Sequence, residues 1–182
     1  HPCSVEPIEE DDRREIRMKY SKECLAALAE IAHDYDSVIA VENLPRSCLA
    51  RNSKELLELL ESNDKLKVCY DTNHLLEQDS LEFINALGDK IVTLHVSDYD
   101  FINERHWLPG EGKLDWQEIL KALKDLGYNG PWMYELEFEC PVTILRDRDL
   151  NCEDFALNAK ELFENKQITV FSKPKPNLGM WE

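Results

Sequence analysis

The feature that most constrains this chain is a fourfold alternation of short apolar runs with helices that carry their own start signals. The runs span residues 37–43, 67–71, 91–97 and 131–138. Asn52, Asp79 and Asp115 each stand three residues before a glutamate, which is the spacing of a capping box at a helix start. Strands that alternate with helices through short connections predict an α/β fold with a parallel sheet and right-handed crossovers.

Two further helices frame this alternation. Apolar residues at steps of three and four, including Ile16, Tyr20, Leu25 and Leu28, predict a long first helix that ends near Tyr35. A last helix is predicted over residues 153–165. Two prolines follow in residues 166–182, which we interpret as a tail or a partner-binding arm. The expected organisation is therefore one domain over residues 1–165 and a tail over residues 166–182.

Composition narrows the class of partner. With 182 residues, 43% of them hydrophobic, the chain is long enough for one sizeable core. Its formal net charge of −16 disfavours nucleic acid and anionic membrane surfaces as partners. The six cysteines form no C-x-x-C pair and fit reduced core residues. Because no signal peptide or membrane-spanning run is visible, we expect a cytoplasmic protein.

A potential metal ligand stands at the end of each apolar run: Glu42, Asp71, His95 and Glu135. Each has an ordinary explanation when taken alone, as a helix cap, an ion-pair partner, a core histidine or a solvated strand end. The carboxyl ends of parallel strands meet at one face of a sheet, so the four side chains are expected to converge. Three carboxylates and one imidazole form a hard site that favours Mn²⁺ or Mg²⁺ over Co²⁺ or Zn²⁺.

A second group of polar residues lies in the loops that follow two of these strands. His74 comes three residues after Asp71, and Glu104, Arg105 and His106 precede a turn rich in proline and glycine. These side chains could contact a substrate or hold a further metal ion. The alternative for residues 104–106 is an ordinary exposed charged loop. Trp107 and Trp116 bracket the turn and could form a lid or simply pack, with packing favoured for Trp116.

Five stretches, in order along the chain, carry a resemblance to a known family. They are Val41-Glu-Asn43, Cys69-Tyr-Asp-Thr-Asn-His74, Leu94-His-Val-Ser-Asp98, Pro109-Gly-Glu-Gly-Lys-Leu-Asp-Trp116 and Gly130-Pro-Trp-Met-Tyr-Glu135. This set resembles the motifs of the xylose isomerase-like TIM barrels, which include sugar isomerases, ketose 3-epimerases, inosose dehydratases and endonuclease IV. The resemblance runs from His1 to about Asn165. It implies a (β/α)8 TIM barrel from which the N-terminal strands are missing, since a complete barrel typically has about 250 residues.

The resemblance also implies roles for these residues. Glu42, Asp71, His95 and Glu135 would bind the metal, and Glu42 and Glu135 would in addition transfer protons. His74 would lie beside the substrate, and Arg105 and His106 are further candidates for substrate contact from their place in the neighbouring loop. In endonuclease IV an Asp-Arg-His occupies the place of Glu104-Arg-His106, and a His-Pro similar to His1-Pro2 closes a strand. If this chain resembles endonuclease IV in function, His1, His74, Glu104 and His106 would bind zinc.

Our leading hypothesis is a metal-dependent isomerase or epimerase that acts on a sugar or sugar phosphate in carbohydrate metabolism. A metal ion would polarise the substrate carbonyl and stabilise an enediolate while the glutamates move the proton. A dehydratase would share the first half of this chemistry. The rivals are an endonuclease IV-like zinc phosphodiesterase and an inactive, truncated barrel that serves as a binding or assembly module. Because a part-barrel exposes strand edges, we also expect a homo-oligomer.

Overall fold

The computed structural model of the chain describes residues 1–2 and 11–174. Its helices are α1 (Asp11–Asp34), α2 (Ser53–Leu60), α3 (Ser80–Leu87), α4 (Trp116–Asp125) and α5 (Cys152–Phe163). Its strands are β1 (Ala40–Glu42), β2 (Lys67–Asp71), β3 (Ile91–Val96), β4 (Trp132–Tyr134), β5 (Ile144–Arg146) and β6 (Ser172–Pro174). A single 3₁₀ turn, Gly88–Lys90, joins α3 to β3.

The first four strands form one parallel sheet in the order β1-β2-β3-β4. Consecutive helices pack against each other from α1 to α5, which places them in one layer on the same side of the sheet. A sequential parallel order with helices on one side is the construction of a barrel wall, whereas a doubly wound sheet reverses its order at a switch point. The predicted α/β architecture is thus confirmed, as one part of a barrel.

The core lies between the sheet and the helices. Tyr70, Leu94 and Val96 are fully buried in it and pack with Phe83 of α3 and other apolar helix residues. Successive side chains of a strand point to opposite faces. Asp71 and His95 alternate with these core residues and therefore face the inner, concave side of the sheet.

The predicted helix starts are confirmed at three caps. The side chains of Asn52, Asp79 and Asp115 each accept hydrogen bonds from backbone N–H groups in the first turn of α2, α3 and α4. Such bonds satisfy donors that a helix start otherwise leaves unpaired. The last helix begins one residue earlier than predicted, because Asn151 and Asp154 form a reciprocal capping box before it.

The predicted apolar face of α1 is wrong in detail. Met18, Leu25 and Ala29 are the buried residues of this helix, and they lie on a narrow stripe that faces the core. Ile16 and Tyr20 are 53% and 58% exposed. The periodicity predicted the helix correctly. The rest of the described protein, however, packs against only part of the apolar surface of this helix.

The segment after β4 contains a pairing that the sequence patterns missed. Ile144–Arg146 pairs antiparallel with Ser172–Pro174, which lies inside the expected tail of residues 166–182. Ile168 of the same segment packs against the core. Pro176 and Cys3 lie outside the described residues, and the other five cysteines are free. None of the described helices combines the length and apolarity that crossing a membrane requires.

Candidate metal centre and its loops

Four side chains converge at the carboxyl ends of the sheet, as the strand-end pattern predicts. We call Glu42, Asp71, His95 and Glu135 the strand-end cluster; one ligand atom from each lies within 4.8 Å of the others. His95 Nδ1 is 3.1 Å from Glu42 Oε1 and 2.7 Å from Glu135 Oε2. His1 extends the group, because its Nε2 is 3.0 Å from Glu42 Oε2.

The backbone and two polar side chains hold this cluster in place. Asn43 bridges β1 to β2: its Nδ2 donates to the Asp71 carbonyl at 2.9 Å, and its Oδ1 accepts from the Asp71 N–H at 2.8 Å. Thr72 bridges β2 to the end of β3, since its hydroxyl donates to the Ser97 carbonyl at 2.6 Å and accepts from the Ser97 N–H at 3.0 Å. Both links lock the register of the strand ends that carry the ligands.

The donor set fits a divalent cation. Asp71 Oδ2 and Glu135 Oε2 are buried and receive no hydrogen bond of good geometry from the described residues. A buried carboxylate oxygen without a partner is costly, so such atoms are normally paired with a charge or a metal ion. The two oxygens face the common centre of the cluster, where a cation would satisfy both.

The carboxylates also perturb one another. Burial raises the pKa of the Asp71 carboxyl well above its ordinary value, and the neighbouring Glu135 raises it further. For Glu135, burial acts in the same upward direction, but the adjacent Asp71 carboxyl group and the charge of His95 outweigh it and lower its pKa. The raised pKa favours the protonated form of Asp71 when no cation is bound, and a bound cation would favour the ionised form.

A second group, which we call the loop cluster, consists of His74, Glu104 and His106, whose ligand atoms also lie within 4.8 Å of one another. His74 Nδ1 is 2.9 Å from the Asn43 carbonyl, and His106 Nδ1 is 3.0 Å from the Glu135 carbonyl. Since a carbonyl oxygen only accepts, each Nδ1 must carry the hydrogen. Each Nε2 is then left with a lone pair that can bind a metal ion or accept a hydrogen bond.

The loop cluster contacts the strand-end cluster on one side and Arg46 on the other. His74 Nδ1 is 3.5 Å from both Glu42 Oε1 and Asp71 Oδ2, and its Nε2 is 3.7 Å from Glu104 Oε2. Burial lowers the pKa of His74, which favours the neutral ring. On the outer side, Glu104 forms an ion pair with Arg46.

Arg105 differs from its two neighbours in the loop. It lines a cavity of about 590 Å³ beside Glu135 and His106, yet its side chain is 1% exposed and its Nε donates to Asp100 Oδ2 at 2.9 Å. Trp107 is buried as well, and its indole N–H donates to Thr143. The structure thus places Arg105 at the wall of the site and assigns Trp107 to packing.

Asp98 organises the base of the long loop that carries these residues. Its buried carboxylate accepts hydrogen bonds from the backbone N–H groups of Tyr99, Gly110 and Leu114 and from the indole N–H of Trp116. Gly112 lies so close that a Cβ there would be 2.2 Å from Asp98 Oδ1. Trp116 therefore packs, as expected, and closes the loop onto the end of β3.

The sequence patterns did not assign a role to Asn43, Thr72 or Asn73 individually. All three are buried polar residues within two positions of a strand end: Asn43 and Thr72 directly follow a strand, and Asn73 comes one residue later. A buried polar residue at that position must find hydrogen-bond partners nearby, and this signal is visible in the sequence once the strand ends are known. Their partners, however, lie 20 to 35 residues away along the chain and become apparent only in the fold.

Comparison with known proteins identifies the family. Residues 1–153 match the family described as xylose isomerase-like TIM barrel, and the chain belongs to it. Among solved structures, the fold is similar to a D-tagatose 3-epimerase-like protein, with a TM-score of 0.69 and 24% identity over 87% of this chain and 58% of that one. It is also similar to D-allulose 3-epimerase from Methylomonas sp. in complex with D-allulose, with a TM-score of 0.68 and 22% identity over 91% and 60% of the two chains.

Two curated relatives are named as sugar epimerases. Fructoselysine 3-epimerase of Escherichia coli O157:H7 is 38% identical over 56 residues, which cover 31% of this chain and 20% of the relative. D-psicose 3-epimerase of Enterocloster bolteae is 27% identical over 117 residues, or 61% of this chain and 37% of the relative. The chain thus spans well under half the length of these relatives.

Proposed function

We propose that this chain carries the metal centre and the proton-transfer residues of a divalent-metal-dependent ketose epimerase or isomerase. The observation that carries the proposal is the convergence of Glu42, Asp71, His95 and Glu135 within 4.8 Å at the carboxyl ends of consecutive parallel strands. The epimerases among its relatives support a carbohydrate substrate.

The four side chains of the strand-end cluster would hold the cation. Their oxygen-rich set suits Mn²⁺ or Mg²⁺ better than a softer metal. When bound, the cation would polarise the substrate carbonyl and stabilise negative charge that develops on its oxygen.

Glu42 and Glu135 are suited to move the proton. Glu42 is the last residue of β1 and Glu135 directly follows β4, the two outer strands of the sheet. Both carboxylates approach His95 Nδ1. One carboxylate would remove the proton from the carbon beside the carbonyl, and the other would return a proton to the opposite face of that carbon. An epimer results when the two faces differ, and an isomer results when the proton returns to the neighbouring carbon.

His74 and His106 are suited to bind the substrate. The hydrogen on each Nδ1 is engaged by a backbone carbonyl, so each Nε2 can accept a hydrogen bond from a sugar hydroxyl. For Arg105 the substrate-binding role stays a prediction, because its guanidinium is engaged with Asp100.

The test is proton exchange with solvent. The purified chain with Mn²⁺ is incubated in D₂O with a panel of ketoses, and NMR follows deuterium at the carbons next to the carbonyl together with the appearance of new sugars. We expect metal-dependent incorporation that Glu135→Gln reduces by roughly 100-fold or more, the usual contribution of a general acid or base. The matched control, Glu118→Gln, changes an exposed glutamate of α4 and should retain the activity.

Loss of exchange in the control as well, or no exchange of any ketose by a chain that binds Mn²⁺, would contradict the proposal. The second outcome would favour the binding or assembly module.

A second candidate function, a zinc phosphodiesterase similar to endonuclease IV, is favoured by the loop cluster. His74 and His106 lie with Glu104 in a group whose ligand atoms are within 4.8 Å of one another, a set that can hold an additional zinc ion. Metal counting separates the candidates. The epimerase proposal expects about one tightly bound cation per chain, whereas a phosphodiesterase of this kind needs two or three. The net charge of −16 opposes a polyanionic substrate.

A further inference from the structure

We propose that Asn73 is a positioning residue that holds the loop cluster against the metal-binding end of β2. The inference rests on the proposed function for the meaning of that cluster, but its geometry is independent of any reaction. Asn73 lies between Asp71, a member of the strand-end cluster, and His74, a member of the loop cluster, and is fully buried.

The first step is the contact that Asn73 makes with the distant loop. Its Oδ1 lies 3.0 Å from the backbone nitrogen of Arg105 and 3.5 Å from that of His106, and it accepts a hydrogen bond from both N–H groups. These two residues are more than 30 positions away along the chain. One side-chain oxygen thus fixes the backbone on which the His106 side chain stands, next to Glu104.

The second step is the contact that Asn73 makes with the metal centre. Its own backbone N–H donates to Asp71 Oδ1 at 2.7 Å. The same residue therefore orients one oxygen of Asp71 and anchors the loop. Any displacement of Asn73 would change the distance between the two clusters.

The third step is that the loop needs such an anchor. His106 adopts a positive φ of 49° and Phe101 one of 65°, a region that residues other than glycine rarely occupy. Arg105 and Asp100 form a buried ion pair, and Asp100 also accepts from the N–H groups of Ile102 and Asn103. This pair shapes the loop internally, and the Asn73 oxygen connects the shaped loop to β2.

The role of Asn73 differs from that of a general packing residue because only one end of its side chain is engaged. Its Nδ2 is buried and makes no hydrogen bond with the described residues. A replacement that keeps Oδ1 and changes only Nδ2 should therefore preserve the anchor. Asn73→Asp is such a replacement, whereas Asn73→Ala and Asn73→Ser remove the oxygen or shorten its reach.

The experiment measures backbone amide hydrogen exchange at Arg105 and His106 in the metal-free chain. In Asn73→Ala, and equally in the more conservative Asn73→Ser, we expect exchange at these two amides to become about tenfold faster, in keeping with the loss of a buried hydrogen bond. In Asn73→Asp the protection should return.

The matched control is Asn158→Ala. Asn158 of α5 is equally buried and loses bonds to Tyr134 and to the Pro109 carbonyl, but it does not touch the loop cluster. Exchange at Arg105 and His106 should not change in this variant. Unchanged exchange in Asn73→Ala and Asn73→Ser, or the same acceleration in the control, would overturn the proposal.

A functional readout distinguishes positioning from simple stability. In Asn73→Ala the affinity for Mn²⁺ should stay within about threefold of the parent, because the Asp71 contact uses a backbone N–H. The KM for a ketose should rise by about tenfold with little change in kcat, since the loop cluster would bind substrate and the glutamates would remain in place. A rise in KM without faster amide exchange would also contradict the anchor. If no ketose is turned over, the proposed function fails, while the exchange result still decides the role of Asn73.

Discussion

The strand-end cluster and the loop cluster contain similar side chains but are held by different means. Glu42, Asp71 and His95 are the last or nearly the last residues of paired strands, so the backbone hydrogen bonds of the sheet fix their positions. His74 and His106 stand on irregular backbone and depend on single hydrogen bonds to the Asn43 and Glu135 carbonyls. The sheet thus supplies the rigid part of the site, and the loops supply an adjustable part.

This difference explains the chemistry for which each cluster is suited. The group of three carboxylates and an imidazole keeps two buried oxygens, Asp71 Oδ2 and Glu135 Oε2, that receive no well-formed hydrogen bond from the described residues and that a cation would satisfy. Two imidazoles whose Nδ1 atoms are engaged by carbonyls direct their Nε2 atoms elsewhere, and in the neutral ring Nε2 is an acceptor that suits a hydroxyl group of a substrate. We propose on this basis that the strand-end cluster binds the metal and the loop cluster binds the substrate, and the following changes test that division.

The largest effect is expected from Asp71→Asn. This change replaces the carboxyl group that would bind the cation at the centre of the strand-end cluster with an amide that cannot ionise, so Mn²⁺ affinity should fall by more than the roughly 10–100-fold that is typical when an outer-shell partner is lost. The metal-free chain should not lose stability from this change, because Asp71 is crowded by Glu135 and Glu42. Calorimetric titration with Mn²⁺ and thermal unfolding measure the two effects. Retention of parental affinity would remove Asp71 from the ligand set.

A smaller effect, on the loops alone, is expected from Gly112→Ala. A Cβ at this position would lie 2.2 Å from Asp98 Oδ1 and 2.4 Å from the Tyr99 carbonyl. Both are parts of the turn that closes the long loop, so the free energy of unfolding should fall by about 1–3 kcal/mol. Mn²⁺ affinity should change little, because the strand-end cluster does not use this turn.

The control for this change is Gly127→Ala. Nothing lies within 4 Å of a Cβ at Gly127, but its φ of 75° still strains an alanine, so the loss should be about 1 kcal/mol. Urea unfolding measures the free energy of unfolding of both variants. If Gly127→Ala lowers it more than Gly112→Ala does, the structure accommodates a methyl group beside Asp98 without strain, and the prediction is wrong.

The same division accounts for what the sequence could predict. The limits of β2 and the caps at Asn52, Asp79 and Asp115 follow from local rules, and local rules are sufficient where a strand or a helix start is paired in its usual way. The convergence of the strand-end ligands then follows from the topology of a parallel sheet. The membership of the strand-end cluster was therefore within reach before any coordinates.

The loops were beyond such rules. Asn73 anchors a segment more than 30 residues away, and nothing in the local sequence indicates that partner. Arg105 is buried with an ion pair to Asp100, five residues earlier, and the charge pattern of the loop does not show that these two residues are buried. The exposed Ile16 and Tyr20 of α1 show a second limit. Apolar periodicity identifies the helix, but it does not tell which of the apolar residues are buried against other parts of the protein.

The third prediction compares the two clusters by pH. Burial, with a further contribution from Glu135, raises the pKa of the Asp71 carboxyl in the metal-free chain, so a proton occupies the strand-end cluster at a pH where an ordinary aspartate is ionised. A cation must displace that proton. Affinity for Mn²⁺ should therefore be constant above the raised pKa and should fall as pH is lowered through it, by at most about tenfold per pH unit for one proton.

Burial shifts His74 in the opposite sense and lowers its pKa. His74 should then stay neutral, and able to accept a hydrogen bond at Nε2, at a pH where an ordinary histidine is protonated. Titrations of Mn²⁺ in buffers of different ionisation enthalpy measure the protons released by binding. Release of a proton that grows as pH falls supports the displacement of a proton from Asp71, and binding without any proton release down to about pH 5 would show that Asp71 is already ionised.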